Sequence, residues 1–360
     1  MTLRAGLKQV CVTGVALTCL LMPGVTHAEQ TVLRIADYLP SGHFISKFMA
    51  EVWMGRVAEL TNGEVTFDYF PGEQLGKAKD LLSLTQSGVV DVGLAAPSYI
   101  TDKLPLSGVA ELPEAFSNSC EGTLAYWSLV KPGGIIDQNE LEPLGVRALF
   151  SLVLAPYQFY LARAPIDGVN AAQGLKLRAP GGPKVLMTRR LGGVPVQMGA
   201  PEIMESLSRG TIDGLFLSHS SIADYDLHHH LKYGTEGENF GSAVIMYVIN
   251  LDTWKETIPE VQQAFTQAGE EVVESACKET DKDSIISQKV IEEAGVTFVE
   301  LSAKDRASFR TVLAGVNQQW AEDLDRRGKP GTKVLRTFQR SLEKRSMQGV
   351  HSDEYIQPIE

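Results

Sequence analysis

Three strand-like segments separated by two helix-like segments follow the first 30 residues, and this alternation constrains the fold more than any other feature. Residues 31–39 (TVLRIADYL) and 64–71 (EVTFDYFP) are typical of strands, and residues 89–97 (VVDVGLAAP) form an apolar run typical of a strand buried on both faces. Apolar residues at helical spacing predict a helix over 43–61, and a second helix is predicted over 77–87. A βαβαβ unit implies a parallel sheet and an α/β fold.

The same alternation recurs after a stretch that contains proline and glycine, and it predicts a second sheet with its own helices. The expected strands are SLVLAPYQFYLAR (151–163), GLKLRAP (174–180), VPVQM (194–198) and TIDGLFLS (211–218), and the expected helices are 182–191 and 201–209. We therefore expect two lobes, each with its own core.

The last third of the chain is expected to connect the lobes. AVIMYVIN (243–250) and VTFVEL (296–301) are predicted strands, and a polar helix is predicted over 259–294. This helix is too long for one compact lobe, so we expect it to bridge both. Helices over 303–327 and 331–345 complete the pattern. The predicted division is lobe I, residues 29–153 plus 242–285, and lobe II, residues 154–241 plus 286–360.

Residues 1–28 have the pattern of a secretory signal peptide. Arg4 and Lys8 precede an apolar run over 10–25, and small residues at Thr26 and Ala28 precede Glu29. The alternative is a membrane anchor, but the apolar run is shorter than the ~20 residues that a membrane-spanning helix needs. We therefore predict export, with cleavage after Ala28.

Cleavage would make the chain more acidic. It removes two basic residues and no acidic ones, so the formal net charge changes from -11 to -13, with 31 Lys and Arg against 44 Asp and Glu. Nucleic acids and anionic membrane surfaces are therefore not expected as partners. Cys120 and Cys277 would be the remaining cysteines. They could form one disulfide, but we favour two separate buried thiols because a fold of this size needs no cross-link.

Sequence motifs for cofactors and metals are absent or incomplete. GEQLGKA (72–78) has one residue too few between its glycines for a phosphate loop and lacks the magnesium-binding hydroxyl, and neither a G-x-S-x-G nor an H-E-x-x-H motif occurs. Adjacent residues of a helix splay about 100° apart, so the run over 228–230 (HHH) cannot all face one ion. We interpret that run as a solvated helix end and predict no cofactor and no metal.

Arg178 is the most informative single residue. It ends the predicted strand over 174–180, just before a Pro-Gly-Gly break. Ligands of open α/β sheets bind at the carboxyl ends of strands, and a cleft between two lobes is a common small-molecule site. A guanidinium at this place could pair with a carboxylate. A surface arginine paired with a nearby acidic side chain explains its position equally well.

A set of ordered motifs resembles the substrate-binding proteins of tripartite ATP-independent periplasmic (TRAP) transporters, the DctP-like family. The matching stretches are YFPGEQLG (69–76), SGVVDVGLAAPS (87–98), GLKLRAPGGP (174–183), LGGVPVQM (191–198) and LSRGTIDGLFLS (207–218). The resemblance implies a two-lobed periplasmic-binding-protein fold with a ligand cleft between the lobes and a long bridging helix. It also implies a periplasmic location, a transport role without catalysis, and one small and one large membrane subunit as partners.

The resemblance assigns candidate ligand-binding residues. Arg178 matches the family arginine that binds the ligand carboxylate. Where sialic-acid-binding relatives have a second arginine, a polar amide and an acidic residue, this chain has uncharged groups. The candidate ligand-binding residues are Arg178, Tyr157, Leu217, Ser218, Tyr38, Asp37, Ala96, Tyr99 and Phe240.

These candidates favour a ligand with a flat apolar body and one carboxylate, an apolar or aromatic monocarboxylate. Uronates and dicarboxylates are the alternatives in the same role. Two other functions stay open: an exported α/β enzyme with His219, Asp37 and Glu73 as candidate acid or base groups, and a periplasmic sensor subunit that uses the same site.

Overall fold

Two β-sheets organise the strands of this protein. The computed structural model describes residues 30–347, together with residue 2. The signal peptide and cleavage site predicted within residues 1–28 lie outside the range 30–347. The strands are β1 Thr31–Ala36, β2 Val65–Phe70, β3 Val92–Ala95, β4 Val146–Val153, β5 Gln158–Leu161, β6 Lys176–Arg178, β7 Val194–Val196, β8 Gly214–Leu217, β9 Tyr233–Thr235, β10 Val244–Asn250 and β11 Thr297–Val299.

The helices cover the faces of both sheets. They are α1 Phe44–Phe48, α2 Ala50–Leu60, α3 Leu81–Gln86, α4 Ser119–Val130, α5 Gly182–Arg190, α6 Ile203–Ser208, α7 His219–Asp224, α8 Leu251–Glu256, α9 Pro259–Glu293, α10 Ala303–Arg326 and α11 Gly331–Met347. The mixed α/β architecture with two sheets confirms the predicted fold class. In the part of the chain described here, no helix combines the length and the apolar composition needed to cross a membrane.

The first sheet, which with its helices we call lobe I, has the strand order β2-β1-β3-β10-β4. Strand β1 pairs in parallel with β2 and β3, as the βαβαβ pattern predicts. Strand β10 then inserts antiparallel between β3 and β4. Every residue of β3 and β10 is buried, which accounts for their continuous apolar sequences.

The second sheet, which with its helices we call lobe II, has the order β11-β9-β5-β8-β6-β7. Strands β6 and β8 are parallel, so the carboxyl end of β6 carries Arg178 to the same edge as the end of β8. That edge faces lobe I. Helix α11 was predicted within lobe II, but it packs on α4 of lobe I as well as on α10. The limits of the two lobes stay a prediction.

Two antiparallel segments connect the lobes side by side. The chain leaves lobe I after β4 and returns before β10, and the two passages are joined by backbone hydrogen bonds from Leu154 N to Ala243 O (3.0 Å) and from Tyr157 N to Gly241 O (2.8 Å). Short crossing segments of this kind are where hinge motions of two-lobed proteins are usually absorbed.

Helix α9 is the predicted bridging helix and runs for 35 residues. It contacts α1, α2, α4 and β4 in lobe I and α7 in lobe II. Gly269 allows its close approach to the sheet, since a Cβ there would lie 2.2 Å from the carbonyl oxygen of Leu149. Trp53 adds a hydrogen bond from its indole N–H to the carbonyl of Phe265 (3.2 Å).

The expectation of two separate thiols is wrong. Cys120 of α4 and Cys277 of α9 form a disulfide, with their Cα atoms 4.7 Å apart. The two residues are 157 positions apart in the chain, and only the packing of α4 against α9 brings them together. The carboxylate of Asp281, one turn further along α9, accepts hydrogen bonds from the backbone N–H groups of Ser119 and Cys120 at the start of α4.

Three local details also differ from the sequence predictions. The helix expected over 43–61 is interrupted at Met49, whose backbone angles of φ -114° and ψ -80° separate α1 from α2. The helix expected over 77–87 begins at Leu81, because Glu73 holds the preceding turn by accepting a hydrogen bond from Ala78 N (3.1 Å). Helix α4 was not predicted.

Candidate functional site

A small cavity of about 30 Å³ lies between the two lobes. Lobe I lines it with residues from the segment after β1, the start of α1, the segment after β3 and the start of β10. Lobe II lines it with residues from β6, β8 and α7. The lining residues are Tyr38, Leu39, His43, Ile45, Ala96, Ser98, Tyr99, Leu154, Tyr157, Arg178, Pro180, Ala200, Leu217, Ser221, Tyr225, Ala243 and Ile245. Most of this lining is apolar or aromatic, and Arg178 is its one formally cationic side chain.

Arg178 is placed at the cavity by the end of β6. Its backbone pairs with Val196 on one side and Leu215 on the other, and its side chain is only 2% exposed. The guanidinium donates from Nε to the carbonyl oxygen of Met198 and from Nη2 to the hydroxyl of Tyr99, both at 3.3 Å. These two bonds use two of its five N–H donors.

No acidic partner accompanies this buried charge. Among the residues that the structure describes, no carboxylate oxygen lies within 4.0 Å of the Arg178 nitrogens. This rules out the alternative of a surface arginine in an ion pair. A buried charge without a counter-charge is costly, and in binding proteins such a group can be completed by an anionic ligand.

Two glycines let the chain turn away behind Arg178. At Gly181 a Cβ would lie 2.1 Å from the carbonyl oxygen of Ser98, so this position accepts only glycine at the present lobe-to-lobe distance. Gly182 follows with a φ of +48°. The Pro-Gly-Gly break therefore brings lobe II into backbone contact with lobe I next to the cavity.

Aromatic rings surround the guanidinium. The Tyr99 hydroxyl accepts a hydrogen bond from Ala200 N (3.1 Å) as well as from Arg178, and the ring of Tyr38 meets the Tyr99 ring edge to face with centroids 5.5 Å apart. Tyr157 is 3% exposed. Burial raises the pKa values of Tyr38 and Tyr157, so both keep neutral hydroxyls.

The structure brings six of the predicted residues to the cavity and places three elsewhere. The six that line it are Arg178, Tyr157, Leu217, Tyr38, Ala96 and Tyr99. Asp37, Ser218 and Phe240 are not among the lining residues.

Asp37, the residue after β1, is enclosed inside lobe I. Its carboxylate accepts hydrogen bonds from the hydroxyls of Ser46 (3.1 Å), Tyr69 (2.8 Å) and Tyr247 (2.5 Å), and from Leu39 N (2.8 Å). Burial raises the pKa of Asp37. Its contacts fix the segment that carries Tyr38 and Leu39.

Ser218 and Phe240 also have structural contacts in lobe II. Ser218 caps α7, and its Oγ accepts a hydrogen bond from Ser221 N (3.3 Å). Phe240 packs in an aromatic core with Phe159, Phe216 and Phe309, with ring centroids 5.1 to 6.1 Å apart. Long-range packing against α10 draws Phe240 away from the cavity, and the sequence gives no local sign of it.

Sequence reasoning missed several lining residues, among them His43 and Tyr225, whose side chains can both titrate. His43 caps the start of α1, and Tyr225 follows α7. A histidine directly before a predicted helix was the available signal for His43. Tyr225 follows a six-residue helix that the sequence analysis did not predict.

A buried lysine contacts lobe I behind the cavity. Lys184 of α5 is 2% exposed, and its Nζ donates to the carbonyl oxygens of Glu111 (2.8 Å) and Ser242 (2.9 Å). The same Nζ lies 5.0 Å from the centre of the Tyr157 ring. The Glu111 carboxylate accepts a hydrogen bond from Ser98, which lines the cavity. Burial lowers the pKa of Lys184 and raises that of Glu111.

The candidate enzyme residues do not form a catalytic group. Glu73 pairs with Lys77 in an exposed turn, Asp37 is enclosed in lobe I, and His219 bonds the Tyr160 hydroxyl inside lobe II. No hydrogen bond or ion pair joins any two of the three among the described residues. Burial lowers the pKa of His219 to about 4.

A second, larger groove of about 750 Å³ lies on the other side of the crossing segments. Its charged lining is mainly acidic, with Glu114, Glu121, Glu238 and Glu343 against Arg310, which pairs with Glu114 at 3.3 Å. This surplus of negative charge would repel a carboxylate. The smaller cavity is therefore the better candidate for an organic acid.

The histidine run differs from the expected solvated helix end. Residues Leu227–His230 form a 3-10 turn, His228 is buried, and its ring lies 4.2 Å from that of His229. The ligand atoms of Asp226, His228 and His229 lie within 4.8 Å of one another, so these three residues could approach one cation, and His230 is not part of that group. None of them lines the cavity.

Comparison with known proteins gives a consistent family match. The family described as "Bacterial extracellular solute-binding protein, family 7" (DctP) matches residues 35–323. The chain is 24% identical to "Outer membrane transporter protein TsaT" of Comamonas testosteroni, over 87% of this chain and 92% of that protein. It is 27% identical to "C4-dicarboxylate-binding periplasmic protein DctP" of Rhodobacter capsulatus, over 82% and 88% of the two chains.

Solved structures share the fold over nearly their full length. A TRAP solute-binding protein from Rhodoferax ferrireducens with copurified benzoate has a TM-score of 0.81 at 23% identity, covering 89% of this chain and 100% of that one. One from an unidentified marine microbe, in complex with 3-hydroxybenzoate, has a TM-score of 0.81 at 22% identity, covering 88% and 98%. One from a Sulfitobacter species with β-D-galacturonate has a TM-score of 0.75 at 21% identity, covering 86% and 100%.

Proposed function

The chain belongs to family 7 of the bacterial extracellular solute-binding proteins, and from this premise we propose that it captures an apolar or aromatic monocarboxylate in the cavity between its lobes. The observation that carries the proposal is the buried guanidinium of Arg178, which has no acidic partner among the described residues. A ligand carboxylate would supply the missing charge and accept two parallel N–H bonds.

The polarity of the lining supports an apolar ligand body. Around Arg178 the cavity presents Tyr38, Tyr99, Tyr157, Leu217 and Ala96. A sugar acid brings several hydroxyl groups, each of which needs a partner when buried. The related structures with benzoate, 3-hydroxybenzoate and galacturonate share the fold at 21 to 23% identity, so the choice between ligand classes rests on the cavity itself.

Ligand capture would proceed by closure of the two lobes. Three contacts next to the cavity already join them: Arg178 to Tyr99, Lys184 to the carbonyls of Glu111 and Ser242, and Phe44 N to the carboxylate of Asp224 (2.7 Å). The cavity of about 30 Å³ is smaller than an aromatic acid, so the lobes must separate further to admit one. A ligand that touches both lobes then stabilises a closed form by its extra affinity for that form. In the proposed role, the closed form is delivered to the small and large membrane subunits of a TRAP transporter in the periplasm.

The test is thermal unfolding of the chain that begins at Glu29 against four acid classes: aromatic, short keto, dicarboxylic and sugar acids. A ligand at about 100 times its Kd stabilises the folded state by about 2.7 kcal/mol, which gives a measurable increase in Tm. We expect the largest increase with an aromatic acid. A larger increase with glucuronate or succinate than with benzoate would refute the ligand class and leave the uronate or dicarboxylate role.

Variants separate binding from general effects of charge. Arg178→Met keeps the length of the side chain and removes the charge, and we expect it to abolish the ligand-dependent increase in Tm. Arg189→Met is the matched control, because Arg189 is exposed on α5 and does not line the cavity. An unchanged ligand response in Arg178→Met would show that Arg178 has only a structural role.

A further inference from the structure

Two polar groups in the cavity lining have no hydrogen-bond partner among residues 30–347. They are Nε2 of His43 and the hydroxyl of Tyr225, and both atoms are buried. His43 comes from lobe I and Tyr225 from lobe II, and their ring centroids lie 5.0 Å apart. The two groups therefore lie side by side across the boundary between the lobes.

The contacts of His43 determine what its free nitrogen can do. Its Nδ1 accepts a hydrogen bond from Ile45 N at 3.2 Å, so Nδ1 carries no proton. The Asp224 carboxylate is 3.8 Å from Nδ1 and accepts instead from Phe44 N. Burial lowers the pKa of His43 to about 3, so the ring is neutral at physiological pH. The single ring proton is then on Nε2, which makes this atom a donor without an acceptor.

Tyr225 offers the complementary group. Burial raises its pKa, so its hydroxyl stays protonated and can both donate and accept. The fully buried tyrosines away from the cavity are all paired: Tyr126 donates to the sulfur of Met246, Tyr247 to Asp37, and Tyr160 pairs with His219. Unlike these three, the Tyr225 hydroxyl has no hydrogen-bond partner among the described residues.

Unpaired buried polar groups are unfavourable, and natural proteins keep few of them. Other unpaired buried atoms exist in the described chain, including Oε2 of Glu111 and Nδ1 of His228, but their residues do not line the cavity. Two such groups line one cavity from opposite lobes, which makes them candidates for a shared ligand atom.

We propose that His43 and Tyr225 form a second ligand subsite, which binds an uncharged oxygen substituent of the acid whose carboxylate pairs with Arg178. The oxygen accepts from Nε2 of His43, and it exchanges a hydrogen bond with the hydroxyl of Tyr225. This inference rests on the proposed function and narrows it to a hydroxylated aromatic acid. A second carboxylate is disfavoured, because His43 is neutral and offers no compensating charge.

The experiment measures Kd by calorimetry for benzoate, the three hydroxybenzoates and the three methylbenzoates. A methyl group fills nearly the same space as a hydroxyl and forms no hydrogen bond. We expect one hydroxybenzoate to bind at least about 10-fold more tightly than the methylbenzoate of the same ring position. In Tyr225→Phe and in His43→Asn that ratio, measured within each variant, should fall about 10-fold. Asparagine at position 43 retains a helix-capping acceptor.

Tyr160→Phe is the matched control within lobe II. It also removes one buried tyrosine hydroxyl, but that hydroxyl is paired with His219. We expect Tyr160→Phe to lower the stability of the protein and keep the preference for the hydroxyl, and Tyr225→Phe to keep the stability and lose the preference.

Three results would contradict the proposed subsite. If benzoate binds and no hydroxybenzoate is preferred over its methyl counterpart, the subsite is wrong while the proposed function stands. An unchanged preference in both Tyr225→Phe and His43→Asn would assign the preference to other residues and overturn the subsite too. If no member of the series binds, the aromatic ligand class fails, and the subsite fails with it.

Discussion

Arg178 and Lys184 are six positions apart in the chain, both belong to lobe II, and each is 2% exposed, but their surroundings differ sharply. Lys184 donates to the carbonyls of Glu111 and Ser242, and the negative charge of Glu111 is close enough to raise its pKa against the effect of burial. Arg178 donates to one carbonyl and one hydroxyl and has no acidic neighbour within 4.0 Å in the described chain.

This difference separates a side chain whose N–H donors the fold largely satisfies from one whose N–H donors it leaves mostly without partners. The partners of Lys184 come from lobe I, so its bonds join the lobes without a ligand. Arg178 has three N–H donors without a partner among the described residues. Burial alone therefore does not distinguish the two side chains, whereas the lack of a counter-charge does, and on that lack the proposed role of Arg178 rests.

The largest expected effect is on stability at position 184. Lys184→Met removes the donor of two buried carbonyls and the counter-charge of Glu111, so we expect the free energy of unfolding to fall by about 3 to 5 kcal/mol. Urea denaturation measures this change. A loss below about 1 kcal/mol would show that Lys184 is not a structural cation.

Replacing Arg178 by methionine should change the free energy of unfolding in the opposite direction or not at all. Arg178→Met removes a buried charge that lacks a counter-charge, and Tyr99 keeps its hydrogen bond from Ala200 N. We expect the free energy of unfolding in the absence of ligand to stay equal or to rise by about 1 kcal/mol. The measurement is the same denaturation series, with Lys184→Met beside it. A loss as large as that of Lys184→Met would end the distinction between the two cations.

The sequence predicts much of the environment of Arg178. Alternating strands and helices give both sheets, the end of β6 and the cleft between the lobes. The Pro-Gly-Gly break then indicates where the side chain lies. These features depend on residues that are close together in the chain or on regular periodicity, which is why they can be read without a structure.

The environment of Lys184 could not be predicted in this way. In the sequence GGPKVLMTRR it is an ordinary lysine in the first turn of a helix, and lysine is rarely buried. Its partners Glu111 and Ser242 are 73 and 58 positions away. The disulfide between Cys120 and Cys277 and the packing of Phe240 on Phe309 were missed for the same reason, since each depends on contacts between distant segments.

Lys184 should also make stability depend on pH. Its folded pKa is lowered to about 7 from 10.5, mainly by burial, so between these values the unfolded chain binds more protons than the folded one. Stability then rises with pH from about 7 to about 10.5, by at most about 1.4 kcal/mol per pH unit. The measurement is the difference in free energy of unfolding between the protein and Lys184→Met at pH 7, 8 and 9. We expect this difference to increase, and a constant difference would show that Lys184 is already charged in the folded state.

The smallest expected effect is the uptake of a proton by Lys184 when a carboxylate binds at Arg178. The positive charge of Arg178 contributes to the lowered pKa of Lys184, after the larger effect of burial. A carboxylate bound at Arg178 would neutralise that repulsion and raise the pKa of Lys184. Binding near pH 7 should therefore take up part of a proton, up to about half a proton for a pKa change of one unit.

Calorimetry at pH 7, in two buffers with different ionisation enthalpies and with the acid that binds most tightly, measures this uptake. Lys184→Met is the control in which the uptake that belongs to Lys184 should vanish. Equal uptake in that variant would place the titrating group elsewhere, and the two cations would then be independent.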